Sequence, residues 1–181
     1  MKRPPDGGAL SIRDARTGEA TPVAELIHEL ARIENVTSDI TSEDVRAYQE
    51  RGDSGILVAQ LDGRLVGTLT WFVRPGLFHG GSWGCIDELI VTATAQGKGV
   101  GDALVSEALR RFEALGCREA AVSTELDNDR AAALYRKHGL VDESRQLEKH
   151  FCARPGPGRA AASARRGEPA QPLTGAQPRG T

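Results

Sequence analysis

The chain has 181 residues and a formal charge of −2, with 39% apolar, 27% charged and only 4% aromatic residues. This is an ordinary composition for about one soluble domain, and aliphatic side chains must build most of its core. No apolar run approaches the ~20 residues of a membrane span, and Cys85, Cys117 and Cys152 form no CxxC and have no histidine at metal-ligand spacing, so a membrane protein, a disulfide framework and a metal site are all excluded from the expectation.

The opening "MKRPPDGGAL" has charge but no hydrophobic run behind it, which points to a cytoplasmic protein. Residues 1–8 read as a flexible N-terminus. Alternating Leu10 and Ile12 predict a first strand over 9–16. "ATPVAELIHELARIEN" then predicts a helix capped by Thr21 with Pro22 in its first turn, and Val23, Leu26, Ile27, Leu30 and Ile33 share one face. Thr41 followed by Asp44 signals a second, short helix. "GILVAQLDGRLVGTLTWFV" reads as two strands joined at Asp62-Gly63, and Pro75-Gly76 ends the second. A strand over 84–92 leads into a long helix that stops at Gly116. A strand over 118–126 follows, then a helix capped by Asn128 and ended by Gly139, then one or two closing strands in "LVDESRQLEKHF".

The order is β-α-α-β-β-β-α-β-α-β. The crossover through the long helix makes the strands at 84–92 and 118–126 parallel, and the remaining strands read as antiparallel. The expected fold class is therefore α/β with a mixed sheet and helices on both faces. From Ala153 the chain carries five Pro, five Gly, five Arg and a single Glu. Such a segment buries too little apolar surface to offset its ordering entropy, so 153–181 reads as a disordered tail. Its +4 leaves −6 on residues 1–152. An acidic body argues against nucleic acid as the main partner and suits a cationic ligand.

The stretch richest in chemistry is "TATAQGKGVGDALVSEAL", residues 92–109, with glycine at 97, 99 and 101. It joins the C-terminal end of a strand to the first turn of a helix. Unpaired N–H groups and the positive end of the helix dipole collect there, and glycine lets phosphate oxygens reach them. A phosphate-bearing cofactor is the leading explanation, with a tight turn under close packing as the alternative. A Walker A loop would need GKS or GKT after the glycines. A dinucleotide fingerprint would need G-x-G-x-x-G after the first strand. Neither spacing is present.

Gln96, Gly97, Lys98, Gly99, Val100 and Gly101 resemble the Q/R-x-x-G-x-G/A signature of the GNAT superfamily of acetyl-CoA-dependent N-acetyltransferases. The preceding "ELIVTATA" is similar to that family's L-x-V-x-P strand end, with Ala93 in the place of proline. Residues 128–140, "NDRAAALYRKHGL", resemble its second motif, N-x-x-A-x-x-L-Y-x-K-x-G-F, with Leu140 in the place of phenylalanine. The resemblance covers about residues 9–152. It implies a mostly antiparallel sheet whose parallel pair splays to admit the pantetheine arm. It implies acetyl-CoA as co-substrate, with the diphosphate on the main-chain amides of residues 96–101 and the arm along Leu89, Ile90 and Val91. Asn128 matches a residue contacting the cofactor and is equally a helix cap. Tyr135 matches the tyrosine near the thioester sulfur and becomes the candidate acid.

The reaction needs a base for an acceptor ammonium and a donor for the departing thiolate. Glu88 is the leading candidate base, with Glu125 and a water chain as competitors. Strand alternation sets Asp87 on the opposite face from Glu88. Specificity in such folds sits on the first two helices and the hairpin, where Glu34, Asp39 and Glu43 suit a cationic amine. Trp71, Phe72, Phe78 and Trp83 offer either core or pocket wall, and His79 either a base or a surface side chain. The expectation is transfer of acetyl to a primary amine, of a small molecule, by direct attack in a ternary complex. No cysteine has an activated setting, so no covalent enzyme intermediate is expected. The alternatives are a protein N-terminal or lysine acetyltransferase and a non-catalytic acyl-CoA sensor. Many such folds pair through a sheet edge, so a homodimer is an open expectation.

Overall fold

The computed structural model describes residues 9–77, 80–143, 146, 147 and 149. The expected N-terminal segment 1–8, the tail at 153–181, Phe78 and His79 lie outside the described residues. Strand β1 (Leu10–Asp14) is followed by helices α1 (Ala20–Ile33) and α2 (Ser42–Gln49). Strands β2 (Ser54–Leu61), β3 (Arg64–Gly76) and β4 (Gly81–Val91) come next, then α3 (Val100–Ala114), β5 (Cys117–Val122) and α4 (Asp129–Lys137). The five strands form one sheet in the order β1-β2-β3-β4-β5. All neighbours are antiparallel except β4 and β5, which are parallel.

Local chemistry explains most boundaries. Asp62 and Gly63 both take positive φ, 51° and 79°, as a two-residue hairpin turn requires. At α2 the Thr41 side chain accepts from the Asp44 N–H, and Asp44 reaches back to Thr41 N at 2.8 Å, a reciprocal cap. Gly116 and Gly139, at φ 72° and 84°, stop α3 and α4. Thr21 is not a cap. A short 3-10 turn over Thr17–Glu19 leads straight into α1, which therefore begins at Ala20. Strand β4 starts three residues before the expected position, because Gly76 to Val73 and Gly81 to Gly84 stay in register around the hairpin. Strand β5 stops at Val122, short of the expected 126. No strand is present among the described residues of 140–151.

Helices cover both faces. On one, Val23 and Ala24 of α1 and Val45 of α2 pack on Ile56 and Val58. On the other, Leu104, Val105, Ala108 and Phe112 of α3 meet Leu57, Leu69 and Trp71. Alternation along the strands sends Ile56 and Leu57 to opposite sides. The α3 side is tightly keyed: an ideal Cβ on Gly84 would lie 2.4 Å from the Phe112 ring, and Phe112 meets Trp71 edge-to-face at 5.9 Å between centroids. Full burial of a side chain such as Phe112 contributes about 2–3 kcal/mol. Trp71 is thus core, while Trp83 is half-buried and edge-to-face with Phe72 at 5.7 Å.

Two irregularities in β4 prepare the site. First, its pairing with β5 ends at Ile86–Val122, although β4 runs on to Val91. Residues 87–91 therefore present an unpaired edge on that side, while β3 still pairs the other. Second, the register to β3 slips between Leu69–Leu89 and Trp71–Ile86. Three steps along β4 match two along β3, so Asp87 and Glu88 share the space opposite Thr70, which is a bulge.

Candidate active site

Gly97, Lys98 and Gly99 form the turn between the end of β4 and α3. Gly97 and Gly99 have φ of 75° and 79°, and no atom lies within 4 Å of a Cβ placed on either. The left-handed backbone conformation itself favours glycine at both, and the space above them is open. Gly99 is the cap residue of α3 and supplies no side-chain acceptor, so the first-turn N–H groups gain no capping bond from it. Gly101 has a different cause: its Cβ would sit 3.3 Å from Leu134 Cδ2 of α4, so helix packing is what limits it. Val100 is buried beneath the turn and Lys98 is exposed.

Side chains brace this turn from two directions. Gln96 Nε2 donates to the Val91 carbonyl at 3.2 Å, and an Arg130 guanidinium N–H donates to Gln96 Oε1 at 2.6 Å. Asp102, the acid of the α3 first turn, accepts from Lys137 Nζ at 2.6 Å and lies 3.0 Å from His138 Nε2. The Lys137 bond holds its carboxylate below the usual range. An anion at the start of α3 thus meets a neutralised acid rather than a bare one. Asn128 caps α4, its Oδ1 accepting from Ala131 N–H at 3.0 Å. Leu89 and Val91 lean toward the α3 side of β4 and are half-buried, and Ile90 is buried. The fit to a CoA-like molecule rests on the open glycine turn and the unpaired β4 edge, both of which expose main-chain groups.

Tyr135 is 8% exposed and sits in the α3-side core. Burial pushes its phenol up to about 12, so it keeps its proton at neutral pH. Among the described residues its hydroxyl has no hydrogen-bond partner.

Glu88 faces the other side of the sheet. Leu69 and Trp71 pack in the α3-side core, so Thr70 between them points toward α1 and α2. Thr70 is 5% exposed, its hydroxyl donates to Glu88 Oε2, and the Glu88 N–H donates to Thr70 Oγ1 at 3.0 Å. Burial first, and then the neighbouring Asp87 charge, push Glu88 up to about 7. Loss of hydration also pushes Asp87 up, opposed by the Arg74 guanidinium. Burial, and after it both carboxylates, raise Tyr48 of α2, so the bulge brings the two acids to bear on one spot. The opposite-face expectation for Asp87 fails there, because an extra residue breaks strict alternation. Burial, followed by the Asp87 charge, also pushes the Cys85 thiol up to about 11, which leaves it unactivated. Glu125 is exposed and lies beyond β5, where its carbonyl accepts from Asn128 N–H at 3.0 Å.

Thr70 and Tyr48 were not foreseeable as parts of this site from spacing. The only signal for Thr70 is a polar residue at an inward position of a central strand. A cavity of about 410 Å³ lies against α1, lined in part by Glu25, Glu29, Arg32, Leu65 and Thr92. It includes neither Glu88 nor Tyr135. Among the described residues no group of three or more His, Cys, Asp or Glu is placed to hold a metal ion, and no helix is long and apolar enough to cross a membrane.

The acetyltransferase (GNAT) family model matches residues 23–140. The chain belongs to the GNAT family. It is an N-acetyltransferase of a family that uses acetyl-CoA as co-substrate. It is 25% identical over 145 residues to an uncharacterized N-acetyltransferase, YhfO, of Bacillus subtilis, a match covering 79% of this chain and 96% of that one. It is 35% identical over 108 residues to the mycothiol acetyltransferase of Amycolatopsis mediterranei, covering 56% of this chain and 36% of that longer protein. In three dimensions it resembles an aminoglycoside acetyltransferase from an uncultured soil metagenomic sample. That GNAT-fold match has a TM-score of 0.68 and 21% identity and covers 79% of this chain and 95% of the other.

Proposed function

We propose that this GNAT protein moves the acetyl group of acetyl-CoA to a primary amine of a small molecule by direct attack in a ternary complex. The observation that carries the reading is Glu88, a carboxylate raised to about 7 beside the unpaired edge of β4. A base matched to the working pH is what deprotonation of an ammonium requires. The names of a similar mycothiol acetyltransferase and a similarly folded aminoglycoside acetyltransferase favour a small-molecule acceptor.

Acetyl-CoA supplies an activated thioester. Main-chain amides of Gln96, Gly97, Lys98, Gly99, Val100 and Gly101 would hold its diphosphate, and Leu89, Ile90 and Val91 its pantetheine arm. Asn128, already bonded through Oδ1, keeps its amide NH2 for the same ligand. Glu88 accepts the proton of the acceptor amine on its free Oε1. Tyr135 donates its phenolic proton on the cofactor side, where its raised pKa keeps that proton in place. Cys85 stays a thiol and takes no covalent part. The paired charges of Asp87 and Glu88 favour a cationic amine over a neutral one.

The test is calorimetric titration with acetyl-CoA, followed by a thiol-release assay over polyamines, aminoglycosides, amino sugars, amino acids and peptides. Acetyl-CoA binding with turnover on a small amine supports the reading. Turnover confined to peptides transfers the chain to protein acetylation, and cofactor binding with no acceptor in any class points to an acyl-CoA sensor.

A further inference from the structure

We propose that Thr70 is a positioning residue for Glu88, locking one carboxylate oxygen so that the other is presented to the acceptor amine. The inference rests on the reading of Glu88 as base. Its ground is a closed pair of hydrogen bonds between neighbouring strands. The Thr70 hydroxyl accepts from Glu88 N–H at 3.0 Å and donates to Glu88 Oε2 of the same residue. One hydroxyl thus ties down both the backbone and the side chain of Glu88.

The bulge makes such a tie necessary. With two β4 residues facing Thr70 alone, the ladder loses its regular bond at this point. Without the hydroxyl, Glu88 N–H would lose its acceptor, and the carboxylate would lose the donor that sets its rotamer. Thr70 suits the task because it is buried in a central strand, where its branched side chain has restricted rotation. Its surroundings hold it too: Tyr48 of α2, whose hydroxyl donates to the Trp71 carbonyl at 3.1 Å, lies against the same hydroxyl. The charged and titratable groups about Glu88 are Asp87 and Cys85 on β4, Arg74 on β3 and Tyr48 on α2. Among the described residues none of these donates a hydrogen bond to the Glu88 carboxylate, so Thr70 is its orienting donor.

The test compares Thr70→Val, Thr70→Ser and Glu88→Gln, each checked for folding by its melting temperature and for acetyl-CoA affinity by calorimetry. Thr70→Val keeps shape and loses the hydroxyl, and kcat is expected to fall about 10-fold, below the ~100-fold that a 1 Å misplacement can cost. Thr70→Ser restores the hydroxyl and is expected to recover most of that loss. The acid limb of kcat/KM moves to higher pH in Thr70→Val, because a bond to the ionised form is gone. In the Glu88→Gln background, Thr70→Val adds no further loss. If Glu88→Gln is inactive but Thr70→Val turns over normally, or if the loss persists in the double variant, Thr70 has no positioning role. If Glu88→Gln itself remains active, the base reading fails first and the proposal falls with it.

Discussion

The glycine turn and the β4 bulge lie at opposite ends of one short stretch of strand, yet they are built in different ways. The turn is made from consecutive residues, and its properties reside in the backbone: two positive φ angles, open space, and amides at a helix start. The bulge site is made from Tyr48, Thr70 and Glu88, on three elements, and its properties reside in side chains. A backbone site tolerates changes in most side chains but not in the glycines that permit its shape. A side-chain site fails when any one partner changes, because a buried carboxylate depends on its hydrogen bonds for orientation.

That difference sets the order of the expected effects. Glu88→Gln removes the proposed proton acceptor and is expected to lower kcat by about 100- to 1,000-fold, with acetyl-CoA affinity in calorimetry unchanged. A parallel loss of cofactor affinity would join the two regions that are separated here. The same variant has a stability signature of opposite sign. The folded pKa of Glu88, about 7, stands above its ordinary 4.5, so ionisation favours the unfolded chain. The stability tied to protonated Glu88 is present below pH 4.5 and lost as pH rises through 7. At pH 8 Glu88→Gln should melt no lower than the parent, and a marked drop would argue that the carboxylate is structural.

Tyr135→Phe comes next, on the cofactor side but acting through chemistry. It keeps the ring in the α3-side core and is expected to lower kcat by about 100-fold, at the lower end of acid–base effects, with little change in cofactor affinity. The pH profile sharpens the assignment: kcat/KM should rise with pH through an acid limb near 7, where Glu88 loses its proton. No basic limb from Tyr135 is expected before about 12. A limb that survives unchanged in Glu88→Gln would belong to another group.

The smallest effects divide the glycines among themselves. Gly99→Ala forces an L side chain into a left-handed conformation at about 1–2 kcal/mol, equivalent to an acetyl-CoA affinity loss of about 10-fold if the turn distorts. Gly101→Ala meets the flexible end of Leu134 and makes ordinary contact with Val91, and its effect should stay within about 3-fold because the Leu134 side chain can shift. Equal losses at 99 and 101 would mean that both serve the ligand directly.

Several elements were legible because their causes are local. Thr41 with Asp44 announced α2, and Asp62 with Gly63 announced the hairpin through its φ requirements. The glycine turn and residues 128–140 declared the family through contiguous residue types. Thr21 misled because the 3-10 turn before α1 is set by Glu19: Arg13 donates to it at 2.6 and 2.7 Å, and its own carboxylate accepts from Arg16 N–H. The Arg13 partner comes from β1, and a local capping rule does not contain it.

By itself, then, the sequence determined the element order from β1 to α4, the parallel crossover and the glycine turn, since each follows from dihedral preference and periodicity over neighbouring residues. Only the tertiary structure decided where β4 leaves β5, that Asp87 and Glu88 share one face, and that Thr70 and Tyr48 attend the carboxylate. Those features depend on register between strands far apart in the chain. A one-residue slip in register redirects a side chain without any change in the local sequence.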